Sequence, residues 1–134
     1  MSAAPDRPPT EVDLDDGTAV VEFVLVSILV VVLLLAVVQV GMALHIRNTL
    51  IAAASEGARF AAAADQSPEA GAEHARGLIR QSLPDSYAER VGSGHQVVAG
   101  VDTIVVTIEA DLPVFGWLGP PAGLRVEGHA MEES

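Results

Sequence analysis

The stretch Phe23-Val24-Leu25-Val26-Ser27-Ile28-Leu29-Val30-Val31-Val32-Leu33-Leu34-Leu35-Ala36-Val37-Val38-Gln39-Val40-Gly41-Met42-Ala43-Leu44 decides the fold. It holds 22 residues, no charged side chain, and three interruptions among apolar residues, Ser27, Gln39 and Gly41. An α-helix rises about 1.5 Å per residue, so roughly 20 residues cross a hydrocarbon layer of about 30 Å. Length and composition therefore predict one membrane-spanning helix. A buried helix of a water-soluble protein would need a large domain to cover residues 24–38 on all sides. The 70 residues from 65 to 134 are too few for that. A cleaved secretory signal also fits poorly, because the apolar run is too long and the segment before it is acidic.

Working outward from the span, residues 1–16 combine Pro5, Pro8 and Pro9 with Asp6, Glu11, Asp13, Asp15 and Asp16. Such a mixture cannot bury enough apolar surface to order itself, so residues 1–17 read as a disordered acidic leader, open to removal. On the other side, residues 46–64 keep a helix-forming composition without proline, and the span at 18–44 is expected to run on as a helical extension over 45–64. Such a helix would be on the order of 70 Å long. Within the extension Ala53, Gly57 and Ala61 recur every four residues, a seam on which another backbone could approach closely. Alanine's high helix propensity explains the same residues without any seam. Glu56 and Arg59, three apart, are placed to pair on the exposed face.

Residues 65–67 should end the helix, and Ser67 before Pro68 reads as an N-cap and first-turn proline opening a second helix that stops before Pro84. Ala75, Leu78, Ile79 and Leu83 give it an apolar stripe, with Glu73 and Arg76 on the wet side. The period then changes from helical to alternating. Ile104, Val106, Ile108, Ala110, Leu112 and Val114 alternate with Thr107, Glu109 and Asp111, the pattern of a half-buried strand. Residues 96–99 precede Gly100 and Asp102 and can form the first arm of a hairpin. Leu124, Val126 and Ala130 alternate with Arg125, Glu127 and His129 in a further strand, and residues 115–123, with Gly116, Gly119, Pro120 and Pro121, form a loop. The fold class is an α+β membrane protein. A long N-terminal helix is followed over residues 65–134 by a short helix and a small antiparallel sheet of about three strands.

Composition removes several functions. The formal charge is −11, distributed as −4 over residues 1–16, zero over 17–64 and −7 over 65–134, so a phosphate backbone is repelled and nucleic-acid binding is disfavoured. The absence of cysteine excludes disulfides and thiolate metal sites. His45, His74, His95 and His129 lack metal-ligand spacing, and no serine stands in a nucleophile-elbow context. Glu109 and Asp111 share a strand face, which a solvated sheet explains better than acid and base chemistry. Neither catalysis nor a cofactor is expected. Phe115 and Trp117 are expected to close one end of the small core or to meet a partner.

The boundary between leader and span reads Asp15-Asp16-Gly17-Thr18-Ala19-Val20-Val21-Glu22-Phe23. A carboxylate at the start of an uncharged span costs a few kcal/mol if it lies unpaired in the bilayer. A cut after Gly17 would place an α-amine on Thr18, about one helical turn from Glu22, and that amine could pair with Glu22 of an axially shifted neighbour. This arrangement of glycine, glutamate at the fifth mature position, aromatic residue and apolar helix resembles the processing site of type IV prepilins. Together with Ala52-Ala53-Ala54-Ser55-Glu56-Gly57-Ala58-Arg59 downstream, it resembles the TadE-like family, pilin-like accessory proteins (pseudopilins) of the bacterial tight-adherence pilus. The resemblance covers residues 17–64 well and the C-terminal part loosely. It implies Gly17 as the cleavage residue of a membrane prepilin peptidase, Thr18 as the mature N-terminus, and Glu22 with Phe23 as recognition and assembly residues. It further implies pilin-like subunits and the assembly machinery as partners, a single pass through the cell membrane, and an extracytoplasmic C-terminal domain. Basic residues alone, Arg7 before the span against Arg47 and Arg59 after it, weakly favour the opposite insertion. The same residues also admit a membrane-tethered extracytoplasmic binding domain with no filament role.

Overall fold

The computed structural model describes residues 11–112 and 122–132, with side chains at 15–112 and 123–132. Two α-helices, α1 (Glu11–Ala63) and α2 (Pro68–Ser82), precede a short 3₁₀ turn (Asp85–Ala88) and three strands, β1 (Arg90–Val98), β2 (Val101–Leu112) and β3 (Ala122–Met131). The strands form one antiparallel sheet in the order β1-β2-β3. A long apolar N-terminal helix, a short second helix and a three-stranded antiparallel sheet are the architecture the sequence predicts.

The chain divides into two compact units, Met1–Gln39 and Val40–Ser134. In the first, α1 carries large apolar side chains that nothing covers, from Val20 through Phe23 and Leu33 to Val38. α1 is long and apolar enough to be a candidate membrane span. The helix begins earlier than its sequence suggests: residues 11–16, read above as unstructured leader, are helical. Acidic residues near a helix N-terminus are favoured by its dipole, and the prolines that forbid a helix all lie at positions 5–9. Residues 1–10 lie outside the described part of the chain.

In the second unit α1 ends at Ala63, and Asp65 just beyond it, with a φ of 50°, carries the chain into the left-handed region. Gln66 N–H then donates to Ala61 C=O at 2.9 Å, closing the last turn. Ser67 caps α2, its hydroxyl accepting from Ala70 N–H at 3.3 Å, and Pro68 opens the helix. Ala72, Ala75 and Ile79 of α2 are buried with Ile46, Leu50, Ala54, Ala58 and Ala61 of α1, and with the inner sheet face of Val91, Ile104, Val106, Ile108, Ala110 and Val126. Even-numbered residues of β2 thus form the core side, as their alternation demands.

The strands differ from their expected limits in two places. β1 begins at Arg90, six residues before the expected arm, because Gly92, Ser93 and Gly94 carry no strand-like apolar pattern yet pair in register with Thr107, Val106 and Val105. β3 begins at Ala122, two residues before the expected strand and inside the expected loop, because Ala122 and Gly123 pair with Leu112 and Asp111 of β2. Positions 113–121, including Val114, Phe115, Trp117 and most of the expected loop, lie outside the described residues. Between β1 and β2, Ala99 and Gly100 have φ of 53° and 82°, a two-residue turn whose handedness matches the sheet twist.

Candidate functional site

The inner side of α1 from residue 53 to 61 is built from small side chains. Ala53, Ala54, Ala58 and Ala61 are buried, and Gly57 lies against Gly71 of α2. A methyl group at Gly57 would lie 2.5 Å from Gly71 C=O and 3.0 Å from Ala75 Cβ, and one at Gly71 would meet Gly57 C=O at 2.6 Å. The two helices therefore cross with backbone on backbone, each glycine vacating the space the other needs. The Ala53, Gly57, Ala61 seam faces this chain's own α2 and core. On another side of α1, Gly128 of β3 sits so close to Ala54 and Ser55 that a Cβ there would overlap their backbone atoms.

Neither Gly71 nor Gly128 was singled out from the sequence. Each stands in a segment where glycine alone has no readable meaning, since the contact that requires it comes from a distant part of the chain. Arg76 was assigned to the wet side of α2, and it does pair with Glu73 there. Its other guanidinium nitrogen also donates to Val91 C=O at 2.8 Å, tying α2 to the start of β1.

The outward side of the same α1 segment is different. Glu56 and Arg59 are both exposed, and among the described residues no ion pair joins them to each other or to any other group. Beside them Phe60 stacks on His74 of α2, ring centroids 4.4 Å apart and planes 7° from parallel. Arg59 also lines a shallow cleft of about 420 Å³ with Ala62, Ala63, His129, Ala130 and Met131.

On the outer sheet face, charges pair across strands. Arg90 meets Asp111 at 2.7 Å, and Arg125 reaches Glu109 at 3.3 Å and Glu127 at 3.2 Å. Glu109 and Asp111 are thus engaged with arginines on an open face, an arrangement that gives a solvated sheet rather than a pair of catalytic acids. Among the described residues no group of three His, Asp or Glu side chains gathers in a way that could hold a metal ion.

Gly17, Thr18, Glu22 and Phe23 all lie within α1 and are exposed, Phe23 at 73 %. A Cβ on Gly17 would meet nothing within 4 Å. Glu22 has no ion-pair partner among the described residues.

α1 is thus a candidate membrane helix, and α2 packs with the three-stranded sheet over residues 68–131. The model of the TadE-like protein family matches residues 17–59, from the glycine before the span to the arginine of the Glu-Gly-Ala-Arg element. That family is regarded as structural and is linked to the tight-adherence pilus system, and the likeness to it extends over about a third of this chain. No curated protein and no solved structure matches the chain.

Proposed function

We propose that the chain is a pilin-like accessory subunit for assembly of a tight-adherence pilus. In this reading α1 crosses the cell membrane, residues 45–134 lie on the extracytoplasmic side, and a prepilin peptidase cuts after Gly17. The observation that carries the reading is the placement of the family match, which begins at Gly17 and takes in the whole apolar run. Glycine is the weakest helix former after proline, so Gly17 lowers the cost of opening α1 near its N-terminus, at the bond the peptidase would cut. The new amine on Thr18 would then neutralise Glu22 of an adjacent pilin-like subunit, removing the cost of a lone carboxylate at the membrane.

Intact mass and N-terminal sequencing of the membrane-extracted protein from its own host test this. A chain beginning at Thr18 is the expected result. A chain that retains residues 1–17 sinks the processing step. It favours the second reading, a membrane-tethered binding domain, for which Asp15 and Asp16 speak because they put negative charge where prepilin leaders carry basic residues. Charge pairing at Glu22 is tested separately: Glu22→Ala should abolish incorporation into the assembly complex while leaving membrane insertion intact.

A further inference from the structure

The helical repeat divides the Glu-Gly-Ala-Arg element between two faces of α1. Gly57 and Ala58 turn inward, to α2 and the core, whereas Glu56 and Arg59 turn outward and carry opposite charges one helical turn apart. Residues 40–134 contain six arginines against twelve acidic side chains, yet Arg59 has no carboxylate among the described residues. Arg47 and Arg80 are also without one, but neither has an acidic residue within four positions along its helix. Among the described residues, 56 and 59 are where an unengaged acid and an unengaged base stand one turn apart on an exposed helix face.

We infer that this face of α1 docks a second copy of the chain, the Glu56 carboxylate of one copy accepting hydrogen bonds from the Arg59 guanidinium of the other. The inference rests on the membrane reading above, because copies inserted by the same helix in one bilayer run parallel. In parallel helices the two charges differ in level by about 4.5 Å, within the span of an arginine side chain. Exposed Ala52 and Ala63, about one turn to either side, extend no further than Cβ and do not hold the helices apart. A self-complementary pair selects this occupant over others. An anionic lipid headgroup attracts Arg59 and repels Glu56, and a uniformly acidic or basic partner satisfies one charge at the expense of the other. Residues 40–134 carry a net −6, so two copies repel at long range. Within a Debye length of about 8 Å the opposed pairs outweigh that repulsion locally, and they determine which faces meet.

The test uses the full chain bearing two different fluorophores, co-reconstituted in phosphatidylcholine vesicles, with energy transfer between copies as the readout. Glu56→Arg and Arg59→Glu are each expected to lower pairing roughly fivefold, because each places like charges at the contact. The double variant Glu56→Arg/Arg59→Glu restores opposite charges in reversed order and should recover pairing to near the wild-type level. Both side chains are exposed, so thermal unfolding of all three variants should match the wild type. Single variants that pair like the wild type, a double variant that stays low, or a wild type that shows no transfer would each overturn the inference. Pairing is scored whether or not residues 1–17 have been removed. A chain that keeps its leader but pairs through these residues therefore refutes the processing step alone, and a processed chain that does not pair refutes this contact alone.

Discussion

Residues 23–38 and residues 46–61 belong to one helix and are built in opposite ways. The first region is Val, Leu, Ile and Phe with its surface uncovered, Leu33 standing 62 % exposed. The second is largely alanine and glycine on its inner side and is buried there, with Leu50 fully enclosed. Apolar bulk therefore marks the part of α1 that the folded chain leaves bare, a surface suited to lipid, where every added methylene is favourable. Small size marks the part where neighbours arrive as backbone, and where an extra methyl has no room.

The most severe way to break this contrast is Gly128→Val. Its side chain would occupy the space of Ala54 and Ser55, and separation of β3 from α1 should cost about 3 kcal/mol or more, read as a lowered thermal midpoint of the full chain in detergent. A matched pair of leucines measures the contrast directly. Leu50→Ala, from a site with no exposed surface, should destabilise by about 2–5 kcal/mol, whereas Leu33→Ala should leave the unfolding of residues 40–134 unchanged.

Next in size is Gly57→Ala, with an expected loss of about 1–3 kcal/mol as the Gly71 carbonyl is displaced. Gly77→Ala in α2 sharpens the point, because a methyl there meets nothing within 4 Å and should stabilise by about 0.5–1 kcal/mol through helix propensity. Differential scanning calorimetry separates the two signs. The smallest effect belongs to Arg90→Ala. Its ion pair with Asp111 is half exposed on both sides, and its loss should shift stability by at most about 0.5 kcal/mol, vanishing in high salt.

What the sequence conveys follows the same division. The span at 23–44, the cap Ser67-Pro68 and the alternation through 104–112 are local patterns, set by neighbours in sequence, and the structure has a helix, a helix start and a strand there. β1 escaped because its first half substitutes glycine and serine for the apolar side chains by which strands are recognised; its pairing comes from β2, not from its own composition. The helical start at Glu11 escaped because proline and acid content were read together, although only the prolines bar a helix. At the candidate site, the spacing of Ala53, Gly57 and Ala61 drew notice without naming what approaches it. That identity depends on Gly71 and Gly128, which lie 14 and 71 residues beyond Gly57 and meet α1 only once the chain has folded.

The contact of Gly128 with Ala54 and Ser55 also sets an order of events. It closes a loop of roughly seventy residues, so the inner face of α1 waits for a strand made long after it. At a synthesis rate of about 5–20 residues per second, Leu50, Ala54 and Ala58 remain uncovered by β3 for several seconds after they leave the ribosome. Through that interval a newborn chain shows, around Ala54, an alanine-lined strip of α1 that β3 has yet to cover.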